Sequence, residues 1–149
     1  MNTPISELMT RDPVCLAPND TMDMAEKMFD KHGIHHLPIV EAGRLVGMVA
    51  YTDYLKIVRE IFGGADEIHK NKLIKASMTA RDCMDKNFFS LCPDDSLGEA
   101  IHIFREKRVM AIPVVKNGKL TGILTAHDMF RALEKLLLGL EQMARAVFA

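Results

Sequence analysis

Apolar positions along the chain fall into short bursts of two kinds, and the same succession of bursts occurs twice. Val14-Cys15-Leu16 is a brief strand-like run that ends in the turn Pro18-Asn19-Asp20. Met22, Ala25, Met28 and Phe29 then recur at helical spacing, which predicts an amphipathic helix opened by Asp20 or Thr21. Two strands follow, Leu37-Pro38-Ile39-Val40 and Leu45-Val46-Gly47-Met48-Val49, joined by Glu41-Ala42-Gly43-Arg44. Asp53 opens a second helix. Further on, Phe88-Phe89-Ser90-Leu91 runs into a Pro-Asp-Asp turn, and Ser96-x-x-Glu99 has the spacing of a capping box. Leu97, Ala100, Ile101 and Phe104 mark the buried stripe of that helix. Ile112-Pro113-Val114-Val115 and Leu120-Thr121-Gly122-Ile123-Leu124 are the next strands, and Asp128 opens the last helix. Between those strands, Asn117-Gly118 is a strong hairpin signal, since both residues tolerate the positive φ of a tight turn.

The likeness is a duplication. A shift of 75 residues lays 5–58 on 80–133 without a gap. Identical pairs include Met9/Met84, Pro18/Pro93, Phe29/Phe104, Pro38/Pro113, Gly43/Gly118, Gly47/Gly122 and Asp53/Asp128. A unit of ~60 residues buries only about 60% of its unfolded surface and is marginal alone, so two copies stacked through their sheets would share a core. The expected division is 1–62, a connecting segment 63–79 in which a short helix is plausible, and 80–149. Beyond the second copy, Leu133, Leu136, Leu137, Leu140, Ala144 and Val147 give the last helix a wide apolar face. That face is expected to pack on the chain's own core, with a homodimer interface as the alternative.

Composition narrows the class. The 149 residues carry 19 Lys+Arg against 20 Asp+Glu, a net charge of -1, which argues against a sequence-independent grip on nucleic acid. Hydrophobic residues make up 48% and charged residues 26%, which is globular composition rather than disorder. No run reaches the ~18 apolar residues of a membrane span, and the N-terminus lacks the pattern of a signal peptide. Cys15, Cys83 and Cys92 are odd in number and lack C-x-x-C spacing, so free thiols in a reducing cytoplasm are expected.

The string from Pro38 through Gly43, Leu45 and Gly47 to Asp53 recurs from Pro113 through Gly118, Leu120 and Gly122 to Asp128. It resembles the cystathionine-β-synthase (CBS) domain, and two such domains in tandem resemble a Bateman module. The resemblance implies an α+β fold: two domains, each about β-α-β-β-α, packed through their small sheets with pseudo-two-fold symmetry. It also implies two clefts between the copies, each able to hold an adenosine-type ligand such as AMP, ADP, ATP or S-adenosylmethionine. Association of two modules into a disc, and so a homodimer, is implied as well.

An adenosine cleft needs a carboxylate for the ribose hydroxyls, apolar groups and backbone around the adenine, and a cation for any phosphate. Thr125-Ala126-His127-Asp128 matches the family's Thr-x-x-Asp motif, whereas the first copy reads Ala50-Tyr51-Thr52-Asp53 and lacks the hydroxyl. The Asp128 cleft is therefore favoured, although helix N-capping alone would explain either aspartate. By the resemblance, this cleft would add Thr10, Val14 and Cys15 from the first copy's opening strand, Ile34 and His35 for the base, and Ala111 at a position that often holds a basic residue. The second cleft would combine Asp53 with Asp85, Phe89 and Ser90, with Met110 against the base and His36 facing phosphates. Arg11, Arg44, Lys86 and Arg131 are further candidates for phosphate contact, or simply solvated surface charges.

Other chemistries are poorly supported. His32-x-x-His35-His36 suggests a metal site only superficially, because Gly33 breaks the helix and adjacent strand residues point to opposite faces. Cys15 is expected to be a small buried residue rather than a nucleophile. No glycine-rich phosphate loop of the G-x-x-x-x-G-K-[ST] kind is present. Two readings follow: a non-catalytic ligand sensor that signals to a separate protein, or a homodimeric interaction scaffold whose clefts are vestigial. In neither is a membrane or a nucleic acid a partner, and no cofactor is obligatory.

Overall fold

The computed structural model describes residues 3–61 and 75–148. It divides into two compact units. One gathers Met1–Asp12, Phe89–Lys116 and Thr121–Ala149; the other gathers Pro13–Phe88 and Asn117–Leu120. The units therefore do not follow the repeat in simple order. Each takes the body of one copy and the opening segment of the other, and the second unit also takes the second copy's hairpin tip, Asn117–Leu120, which includes the first two residues of the strand that follows it.

In the second unit, α1 (Met22–His32) leads into the antiparallel pair β2 (His36–Glu41) and β3 (Arg44–Ala50), then α2 (Tyr51–Ile61). Thr21 caps α1, its hydroxyl accepting from the Met24 N–H, while Asp20 instead closes the preceding turn by accepting from the Ala17 N–H at 2.7 Å. Gly33 ends α1 at φ 60°, in the left-handed region that a glycine reaches freely. Leu16, Met22, Ala25, Phe29, Leu37, Ile39, Val49, Tyr54 and Ala80 form the core. Ala80 belongs to a short helix, α3 (Ala80–Cys83), from the start of the second copy. Its backbone is tied down where the Ala80 and Arg81 N–H groups donate to the Asp20 and Pro18 carbonyls.

The first unit repeats this plan. α4 (Leu97–Lys107) precedes the strands β4 (Ala111–Lys116) and β5 (Lys119–Thr125), and α5 (Ala126–Phe148) follows. The expected capping box is present: the Ser96 hydroxyl accepts from the Glu99 N–H, and Glu99 reaches back to the Ser96 N–H at 2.8 Å. The core is Ile5, Met9, Leu91, Ala100, Ile112, Val114 and Leu124. Here the borrowed segment is the start of the chain, where the Ile5 and Ser6 N–H groups donate to the Asp95 and Pro93 carbonyls. These are the bonds of Ala80 and Arg81 displaced by the 75-residue repeat.

Several sequence expectations are corrected. Val14–Leu16 and Phe88–Leu91 are not strands. Each contributes one parallel bridge, Leu16 to Ile39 and Leu91 to Val114, and the strand that opens the chain is instead β1 (Thr10–Arg11). Ile101, expected in the buried stripe of α4, is 37% exposed. The apolar face of α5 does not pack on its own unit: Leu133, Leu136, Leu137 and Leu140 are half exposed or more, and Ala144 is exposed. Most of the expected connecting helix in 63–79, including Gly63 and Gly64, lies outside the described residues. Both hairpin turns use two consecutive positive-φ residues, Asn117 with Gly118 and, less expectedly, Ala42 with Gly43.

Candidate functional site

The site is built from the two ends of the first unit's sequence. β1 pairs antiparallel with β5, Thr10 opposite Ile123 and Arg11 opposite Gly122. The absence of a side chain at position 122 permits this approach, since a Cβ there would stand 2.9 Å from the Thr10 carbonyl oxygen. β5 then delivers Thr125 as the residue before α5. The Asp128 N–H approaches the Thr125 hydroxyl at 3.4 Å, and Asp128 Oδ2 accepts in return from the Thr125 N–H and hydroxyl, each at 2.8 Å. This is a Thr-x-x-Asp capping box.

The arrangement goes further than a cap requires. Asp128 is 3% exposed and is the one buried charged residue among those described. Its second oxygen, Oδ1, accepts from the Thr10 hydroxyl at 3.2 Å and from Arg131 Nη2. Two threonine hydroxyls, one backbone N–H and one guanidinium thus occupy the four or so acceptor directions of a carboxylate. Burying this charge is tolerable because the guanidinium of Arg131, three residues on along α5, neutralises it.

The corresponding position in the second unit is built differently. Asp53 has a half-exposed side chain and is paired with Lys56 at 2.9 Å. Position 50, the counterpart of Thr125, is alanine. The counterpart of Thr10 is Asp85, whose backbone bridges Met48 through reciprocal bonds of 2.8 and 2.9 Å and whose carboxylate accepts from the Asn87 N–H. His36, at the start of β2, is held below the ordinary imidazole range by burial and by His35, against the opposing pull of Asp53. An acidic residue thus stands where the first unit has a neutral donor.

Of the residues expected at the favoured cleft, the structure brings Thr10, Thr125 and Asp128 together in one unit, and Ala111 begins β4 of the same unit. Val14, Cys15, Ile34 and His35 belong to the other unit. Cys15 is exposed as a residue rather than buried, and partial desolvation of its thiol, with the charge of Asp20 nearby, raises the thiol pKa and disfavours the thiolate. Among the residues expected at the second cleft, His36, Asp53 and Asp85 lie in the second unit, while Phe89, Ser90 and Met110 lie in the first. Phe89 and Met110 are exposed, with Lys107 Nζ 5.3 Å from the Phe89 ring centre. Ser90 lines an open groove of 540 Å³ with Ser96, Glu99 and His102, whose walls do not include Asp128. Sequence reasoning named Arg131 only as one scattered charge; its place three residues after the motif aspartate was the available signal. Arg11, by contrast, donates to the Ser6 carbonyl.

Comparison with known proteins agrees with this architecture. The CBS domain model matches residues 5–60 and 80–135. The chain therefore belongs to the CBS domain family and carries the domain in tandem. It is 27% identical over 143 residues to protein MJ1404 of Methanocaldococcus jannaschii, covering 93% of this chain and 34% of that one. It is 27% identical over 121 residues to the inosine-5'-monophosphate dehydrogenase of Korarchaeum cryptofilum, covering 80% of this chain and 22% of the enzyme. The chain thus spans about a third of the first relative's length and less than a quarter of the second's. Among solved structures, AcuB from Vibrio cholerae superposes with a TM-score of 0.78 at 24% identity, covering 95% of this chain and 98% of that one. The CBS domain pair of MJ0100, in complex with 5'-methylthioadenosine and S-adenosyl-L-methionine, gives 0.75 at 23% identity, covering 91% and 98%. CBSX2 of Arabidopsis thaliana in complex with AMP gives 0.74 at 23% identity, covering 89% and 97%. No helix among the described residues is long and apolar enough to cross a membrane.

Proposed function

We propose that this chain is a regulatory, non-catalytic CBS pair that binds an adenosine-containing ligand, with the ribose on Asp128, and signals to a separate protein. The observation that carries the reading is the buried Asp128 carboxylate, held by the hydroxyls of Thr10 and Thr125. A ribose offers two adjacent hydroxyl donors. They can replace the donations of the two threonine hydroxyls one for one, while the Thr125 N–H and Arg131 stay in place. The displaced threonine hydroxyls are then free to turn toward the sugar, since a hydroxyl both donates and accepts. Solved relatives of the same fold hold AMP, 5'-methylthioadenosine or S-adenosylmethionine, which supports an adenosine-type ligand here. Ala111, at the start of β4 in the same unit, is the proposed neighbour of the phosphate. Regulation follows only to the extent that the ligand binds one arrangement of the protein more tightly than another.

A second reading has an observation of its own. Leu136, Leu137, Leu138, Leu140 and Met143 are between 51% and 65% exposed on α5, more apolar surface than a helix end leaves to solvent without a partner. In this reading the chain is a homodimeric scaffold joined through that helix.

Thermal unfolding with AMP, ADP, ATP and S-adenosylmethionine, each added separately, decides between them. A ligand present at 100 times its Kd stabilises the native state by about 2.7 kcal/mol. The sensor reading predicts an upward shift in midpoint with one of these compounds, lost in Asp128→Ala. No shift from any of them, with the protein folded and dimeric, contradicts it and favours the scaffold.

A further inference from the structure

Arg131 contributes one nitrogen, Nη2, to Asp128. Among the described residues its Nε and Nη1 make no hydrogen bond with the protein, and its side chain is 53% exposed. The guanidinium is therefore two-faced: one edge neutralises a buried carboxylate, and the rest of its donor fork faces solvent beside the ribose position proposed above. We propose that Arg131 selects the ligand's charge, so that the Asp128 site takes a nucleoside phosphate in preference to an uncharged nucleoside or a 5'-sulfonium compound. This rests on the ribose reading of Asp128 and adds the class of ligand to it.

The physical argument is a matter of charge balance. Removing Arg131 from Asp128 would leave a buried carboxylate without its cation, so the pair stays together when the ligand arrives. The ligand then meets a fixed guanidinium next to its sugar. A phosphate uses the open nitrogens through charge-assisted, bidentate bonds, whereas a neutral hydroxymethyl group leaves them unused. A sulfonium at the same carbon places like charges together. Ala111, which begins β4 of the same unit, supplies no cation of its own. In the second unit the equivalent residue is Lys56, a point charge without the planar fork, beside an aspartate that is half exposed.

The test is titration calorimetry of the full chain with AMP, adenosine and S-adenosylmethionine, using wild type, Arg131→Gln, Arg131→Lys and Asp128→Ala. The wild type is expected to bind AMP at least tenfold more tightly than adenosine or S-adenosylmethionine. Arg131→Gln brings the AMP-to-adenosine ratio within about twofold, mainly by weakening AMP, and Arg131→Lys keeps part of the preference. An unfolding midpoint measured on each variant separates loss of the fold from loss of the ligand, and the Lys variant retains the charge next to Asp128 if the Gln variant does not fold. Wild type binding adenosine or S-adenosylmethionine as tightly as AMP overturns the proposal, as does an unchanged ratio in both Arg131 variants. In those cases loss of binding in Asp128→Ala leaves the ribose reading standing. If wild type binds none of the three, or Asp128→Ala binds as well as wild type, the ribose reading itself fails and the charge selection fails with it.

Discussion

Asp128 and Asp53 occupy the same place in the two copies of the repeat, in the first turn of the helix that follows the hairpin, yet they have become different groups. Asp128 is 3% exposed and holds two hydroxyls, a backbone N–H and a guanidinium. Asp53 is half exposed and holds one lysine. Three substitutions between the copies account for the contrast: Thr125 against Ala50, Thr10 against Asp85, and Arg131 against Lys56. The framework beneath is unchanged, down to the two backbone bonds that fasten each borrowed segment. A duplicated fold preserves the position of a carboxylate; the neighbours decide how deeply that carboxylate is buried and which donors it holds.

The sharpest way to test the comparison is to erase the difference. Ala50→Thr combined with Asp85→Thr gives the second unit the hydroxyls of the first and removes an acidic neighbour. It is expected to raise the stoichiometry of AMP binding from one to two per chain in titration calorimetry. A stoichiometry that stays at one would mean that the hydroxyls are not what distinguishes the two positions.

A smaller effect is expected from the glycines that let the borrowed segments approach. A Cβ at Gly122 meets the Thr10 carbonyl oxygen at 2.9 Å as well as the Met9 sulfur, whereas the nearest atoms to one at Gly47 all belong to the Met84 side chain. Backbone yields less readily than a flexible thioether. Gly122→Ala is therefore expected to push β1 away and weaken AMP binding by roughly tenfold, about 1.4 kcal/mol, while Gly47→Ala lowers the unfolding midpoint and leaves that affinity unchanged. Equal losses of affinity in both would show that the placement of Thr10 is not specific to the site. Smaller still, Thr125→Val removes one neutral hydrogen bond and is expected to cost about 0.5–1.5 kcal/mol of AMP affinity. The corresponding change at Ala50 is expected to leave affinity as it was.

Much of this was legible in the chain itself. The gapless repeat, the Asn117-Gly118 turn, the Ser96/Glu99 capping box and the helix stop at Gly33 are local patterns, and local physics enforces them. The Thr125-x-x-Asp128 motif is legible for the same reason, because a capping box spans only four residues. The exposure of Leu136 and Leu140 was not, since a helical apolar stripe states that a face wants cover without stating what covers it. Val14–Leu16 read as a strand because its composition suits one, but only Leu16 finds a pairing partner. The role of Arg131 was hidden by its ordinariness: a basic residue on a polar helix face becomes informative only once Asp128 is known to be buried beside it.

The central claim is that one ribose site exists in this chain and that Asp128 is its floor. A crystal structure of the full chain grown with AMP tests it most directly. The account predicts a ribose with both hydroxyls within hydrogen-bond distance of the Asp128 carboxylate and no nucleotide at Asp53. A ribose at Asp53 with Asp128 still closed by its two threonines would contradict it.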